Sequence, residues 1–187
     1  MLGNDVVDLA DPETHTRHPG FDARVFSEAE RLAIASSPDP HATRQTLWAA
    51  KESAYKAARR HDPRTVFSPR RFEVHLDARG HGHVVHAANV FRVHVTRTGE
   101  CIHAVARLGG DPSESQRGIT RGNGRDASAT VRALALAELS GALGVPTDAL
   151  RIERRDRIPE LHVQGRALAA PLSLSHHGRY AAYAALP

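Results

Sequence analysis

Lysine is almost missing from this 187-residue chain. Of its 25 basic side chains 23 are arginine, and both lysines, Lys51 and Lys56, fall in the stretch "WAAKESAYKAARR". Cysteine is equally scarce: Cys101 stands alone, which excludes an internal disulfide and fits a reduced, cytoplasmic setting. Aromatic residues make up only 5% of the chain, too few for a platform on which single-stranded nucleic acid could stack. Zinc-finger spacing and RNA-binding signatures are absent as well, so nucleic acid is not the expected partner. No apolar run approaches the roughly 18 residues that cross a bilayer, which leaves no expected membrane partner. The opening "MLGNDVVDLADPE" has neither the basic region nor the long apolar region of a signal peptide.

What is present describes a globular chain. Apolar residues reach 41%, and the length suits one domain or two small ones with a real core. A net charge of +4 points to an acidic partner: a nucleic acid, an acidic protein or a phosphorylated small molecule. The Gly-, Ser- and Arg-rich stretch from Arg107 to Ser128 has no apolar periodicity and is expected to link two halves. This gives a half over 1–108, a linker over 109–128 and a half over 129–187. The first half opens on a predicted strand, "LGNDVVDL". A short helix follows around "SEAERLAIAS", where Ser27 is placed to cap the start and Glu30 follows three residues later. The lysine-bearing helix comes next, then four alternating β segments. The second half repeats the plan, with an Ala/Leu helix from Ala129 and strands on either side of "RDRIP" and "SHHG". The expected fold class is α+β: two pseudo-symmetric halves, each a long helix packed on a small antiparallel sheet.

Three places could carry chemistry. On a strand, Gly3, Asp5, Val7 and Leu9 share one face, so Asp5 lies among apolar neighbours and requires a partner: an ion pair, a hydrogen bond or a metal. Gly3 beside it would let another group approach the backbone closely. On the helix, Glu52 and Lys56 are one turn apart in the favourable acid-before-base order, and Trp48 shares their face. A compact ammonium suits a phosphate where a planar guanidinium does not, and a neighbouring carboxylate can hold Mg²⁺. In "SLSHHG", Ser175 and His176 offer donors to an anion at a strand tip. The histidine-rich stretch from His75 to His94 has no partner spacing that favours a transition-metal site.

The run of "GNDVVDL", "ARVFSEAE", "WAAKESAYKA" and "SLSHHGRYAAYA" resembles the 4'-phosphopantetheinyl transferase superfamily, across most of the chain outside the linker. In the surfactin-synthetase-type members of two halves, the Ser-His half comes first; here the order is reversed. Joining the last residue to the first restores the usual run, which implies a circularly permuted, monomeric pseudo-dimer with adjacent termini and an active site between its halves. The resemblance implies transfer of 4'-phosphopantetheine from coenzyme A to a serine of an acyl, polyketide or peptidyl carrier protein, releasing adenosine 3',5'-bisphosphate. It assigns Asp5 and Glu52 to Mg²⁺, Lys56 and Lys51 to phosphate oxygens, and Glu52 to the proton of the carrier serine. It places Ser175 and His176 at the nucleotide end of coenzyme A, with Arg157, Arg125 and Ser128 as further phosphate contacts. Two departures stand out: Ile158 replaces the lysine of a Gly-Lys-Pro turn, and Val7 replaces a glutamate that many two-half members use as a third ligand. Asp8 faces the other way and is a poor substitute, so two protein ligands are expected. A non-catalytic coenzyme A or carrier-protein-binding module on the same fold is the alternative.

Overall fold

A computed structural model describes residues 1–16, 18–122 and 126–186. Strand β1, Leu2–Asp8, leads through the short helix α1, Phe21–Val25, to α2, Glu28–Ser36. The expected cap of α2 is in place: Ser27 Oγ accepts from Glu30 N, and Glu30 Oε2 accepts from Ser27 N at 2.7 Å. The long helix α3, Pro40–His61, starts on Asp39 and Pro40 and ends on Arg59, Arg60 and His61, which suits its dipole at the C-terminal end. Four strands complete the half: β2, Glu73–Leu76; β3, His81–His86; β4, Asn89–Thr98; and β5, Cys101–Leu108. They form one antiparallel sheet in the order β1-β5-β4-β3-β2, with Asp5 opposite Ala104.

The second half repeats this topology. Strand β6, Gln116–Arg121, precedes helix α4, Ala127–Leu143. Strands β7, Leu150–Arg155, β8, Ile158–Val163, β9, Arg166–His177, and β10, Tyr180–Ala185, follow. The order β6-β10-β9-β8-β7 matches the first sheet strand for strand, so the expected pair of α+β halves is observed. One expectation differs. The segment assigned to the linker contains β6, so the second half begins before residue 129. Strand β6 hides from apolar periodicity because its one large apolar residue, Ile119, is exposed; it is held by backbone pairing with β10 instead.

Each helix packs on its own sheet. Ala49, Ala50, Ala54, Ala57 and Ala58 line the buried face of α3 against Val74, Val84, Phe91 and Ile102. Their small size lets the helix settle close to β1. A Cβ on Gly3 would lie 2.1 Å from Ser53 O, so only glycine permits this contact. Val131, Ala135 and Leu139, at four-residue intervals, bury the inner face of α4 against Leu150, Leu161, Leu172 and Tyr183.

The halves meet sheet against sheet. Leu2, Val6, Cys101 and Val105 of β1 and β5 pack on Ala182 and Ala184 of β10, and Leu186 packs against Leu2, so the chain ends are neighbours. Polar groups are set into this seam. Asn4 N donates to Ser173 Oγ, and Asn4 Nδ2 lies 2.9 Å from Ser175 Oγ and 3.1 Å from the buried His103 Nε2. At the far end the buried Asp8 accepts from Arg179 N and from its guanidinium, which also reaches Glu100. Among the described residues no helix is long and apolar enough to cross a membrane.

Candidate active site

Strand β1 is an edge strand, and its two faces have separate surroundings. Leu2, Asn4, Val6 and Asp8 turn to the seam; Gly3, Asp5 and Val7 turn to α3. Along the free edge, Asn4 N is taken by Ser173 Oγ and Asp8 N by His177 Nδ1. Between them, alternation turns the backbone groups of Val6 outward. At this open step lies a cleft of about 270 Å³ lined by Asp5, Val6, Val7, Gln45, Trp48, Glu52, His176 and His177. Both halves therefore contribute to its wall.

The cleft gathers charge from a strand and a helix. Lys56 Nζ donates to Asp5 Oδ1 at 2.7 Å and to Asn4 O at 3.0 Å, with its side chain still 30% exposed. The carboxylate of Glu52, one turn earlier and half-buried, has no hydrogen-bond partner among the described residues. Burial first, and the Asp5 carboxylate second, push it up to about 7, against the opposing pull of Lys56. A carboxyl of this kind exchanges its proton near neutral pH.

The other expected residues are placed differently. Lys51 is fully buried on the opposite side of α3: it donates to Glu30 Oε1 at 2.8 Å, to Pro69 O and to Phe72 O. Its three hydrogens are all engaged, so it is a core group and not a phosphate ligand. Its partner Glu30 also accepts from Val74 N, which ties α2, α3 and β2 together. Ser175 is buried in the seam against Asn4, because its side chain alternates away from that of His176. Arg157 occupies the exposed β7–β8 turn, where Asp156 and Arg157 both have positive φ, and it does not line the cleft. Ser128 lies in the first turn of α4, also away from the cleft. Arg125 lies outside the described residues. Of the expected set, Asp5, Glu52, Lys56 and His176 come together.

Gln45 and His177 join the cleft without having been expected. Gln45 lies seven residues before Glu52, a spacing that returns to the same helix face, and His177 follows His176 at the strand tip. His177 also stands near Asp11 and Glu13, a grouping with metal-ligand composition. Its Nδ1 accepts the Asp8 N–H, so a neutral ring carries its hydrogen on Nε2 and has no lone pair left for a metal. A larger cavity, about 1350 Å³, lies elsewhere, between α2, α3 and strands β2 to β4. Of its acidic residues Glu30, Glu73 and Asp77, the first is engaged with Lys51 and the last with the backbone of Arg79 and His81. The smaller cleft is the one in which Asp5, Glu52 and His176 meet.

No curated protein matches the chain. The model of the 4'-phosphopantetheinyl transferase superfamily matches residues 1–106, a span that contains β1, α3, both acidic residues of the cleft and Lys56. The chain belongs to the 4'-phosphopantetheinyl transferase superfamily.

Proposed function

We propose that this protein transfers 4'-phosphopantetheine from coenzyme A to a serine of an acyl, polyketide or peptidyl carrier protein, with Mg²⁺ as cofactor. The observation that carries the reading is the meeting of Asp5 and Glu52 in one cleft that His176 of the second half also lines, with Lys56 bonded to Asp5 at its edge. The donor set suits Mg²⁺: two carboxylates, hard oxygen ligands whose mutual repulsion a divalent cation relieves. Asp5 and Glu52 would hold the ion, and when bound it neutralises the charge of the pyrophosphate under attack.

The chain's own groups do the rest. Lys56 keeps one hydrogen beyond those given to Asp5 and Asn4, and directs it to a phosphate oxygen. Glu52 accepts the proton of the carrier serine as its oxygen attacks the phosphorus that bears pantetheine. The bond from that phosphorus to the bridging oxygen breaks, and adenosine 3',5'-bisphosphate leaves. His176 contacts the nucleotide end. The net positive chain steers an acidic carrier protein toward the cleft, an attraction that salt weakens. Adjacent ends and the repeated strand order support a reversed, circularly permuted arrangement of the halves.

The test is a mass measurement. Purified protein, coenzyme A, Mg²⁺ and an apo carrier protein should yield a carrier heavier by one phosphopantetheine, and Glu52→Ala should slow this by about 10²–10⁴-fold. A fully active Glu52→Ala variant removes Glu52 from the mechanism. The engagement of Lys51 in the core favours the second reading, a module that binds without transfer. Coenzyme A binding in a calorimeter with no mass shift on any carrier type would select it.

A further inference from the structure

Two carboxylates from β1 and α3 are a sparse grip on a cation that takes about six oxygen ligands, and the aliphatic Val6 and Val7 side chains add none to the cleft. The remaining oxygen-bearing side chain in its wall is Gln45. Gln45 and Glu52 are seven residues apart on α3, about 10.5 Å along the axis and only about 20° around it. Side chains of this length cover about 4–5 Å each, which leaves a gap of a few ångströms that one Mg²⁺, about 2.1 Å from each ligand, can bridge.

The amide of Gln45 is also oriented. Its Nε2 donates to Thr14 O at 3.1 Å, which fixes which end of the amide is the donor. Among the described residues nothing donates to its Oε1. A strap to Thr14 alone would need only the nitrogen end; the oxygen end is left over, in the same cleft as Asp5 and Glu52.

We propose that Gln45 Oε1 is a third oxygen donor to the divalent cation of Asp5 and Glu52, an assignment that rests on the cation site proposed above. A neutral amide completes the grip without adding a third negative charge beside Asp5 and Glu52. The fixed Nε2 bond to Thr14 holds the oxygen ready and joins the loop before α1 to the site.

The test reads Mn²⁺ binding to the full chain by electron paramagnetic resonance and calorimetry, without coenzyme A. Gln45→Leu should weaken Mn²⁺ binding about 10-fold. Gln45→Glu should tighten it severalfold, because a carboxylate is a stronger ligand although it cannot donate to Thr14 O. A residue that only straps the loop predicts the reverse pattern: both variants lower the thermal midpoint alike, and neither moves the Mn²⁺ affinity. That pattern, with wild type and not Asp5→Ala binding Mn²⁺, would overturn the Gln45 assignment and leave the cation site standing. A wild-type chain that binds no Mn²⁺ would bring down both.

Discussion

Helix α3 on β1 and helix α4 on β6 are the same arrangement built twice, and the two contacts differ in what they touch. At Gly3 an added Cβ would meet backbone, Ser53 O at 2.1 Å and Ala57 N at 2.7 Å. At Gly118 it would meet side chains, the Glu138 carboxylate and the Tyr183 ring. The first half thus fixes strand and helix backbone to backbone, while the second sets the Glu138 side chain between them. Buried charge follows the same division: Lys51, Glu30 and Arg44 are enclosed in the first half, and α4 buries only Val131, Ala135 and Leu139. The half that carries Asp5, Glu52 and Lys56 is the one whose geometry cannot relax. A cleft that must set a strand carboxylate against a helix carboxylate needs that stiffness, and a half that supplies a covering strand tip does not.

The largest break in this contrast should come from Lys51→Met. It leaves Glu30 charged and enclosed without its ammonium, and a loss of about 3–5 kcal/mol in denaturant unfolding is expected. Next is Gly3→Ala, expected to cost about 3 kcal/mol and to reduce transfer, since α3 must retreat from β1. Gly118→Ala should cost less, about 1–2 kcal/mol, as the Glu138 carboxylate can swing away although the buried Tyr183 ring must shift. Equal costs at the two glycines would erase the distinction drawn here.

A pH-dependent effect concerns the seam that both halves share. Burial, chiefly, holds His103 down to about 3, from an ordinary 6.5, with Arg117, Lys56 and His94 adding repulsion. The unfolded chain takes up that proton near pH 6.5 and the folded chain does not. Stability is therefore full above pH 6.5 and falls as pH drops toward 3, by about 2 kcal/mol at pH 5. Urea midpoints measured from pH 7 to pH 5 should show this decline, and His103→Gln should flatten it. An unchanged slope in that variant would assign the decline to other groups.

Local features were legible before the fold was. The Ser27–Glu30 cap, the shared face of Gly3 and Asp5, and the helical stripe of Glu52 and Lys56 are all set by neighbours a few residues apart. What escaped notice depends on distant partners. Lys51 and Lys56 look alike in sequence, yet Glu30 and two carbonyls claim the first. Ser175 and His176 are consecutive, and only the arrival of β1 decides that one is buried and the other lines the cleft. Strand β6 shows no pattern because nothing covers its apolar side chain. Gln45 could have been found from its seven-residue distance to Glu52, a signal that names a face but not a role.

Strand β1 serves two neighbours through alternate residues. Asn4 and Asp8 bind the opposite sheet, and Asp5, between them, faces the helix. One peptide unit is all that separates the joint from the Asp5 carboxylate. Under the proposed function, a pull on the second half would reach Asp5 through a lever one residue long.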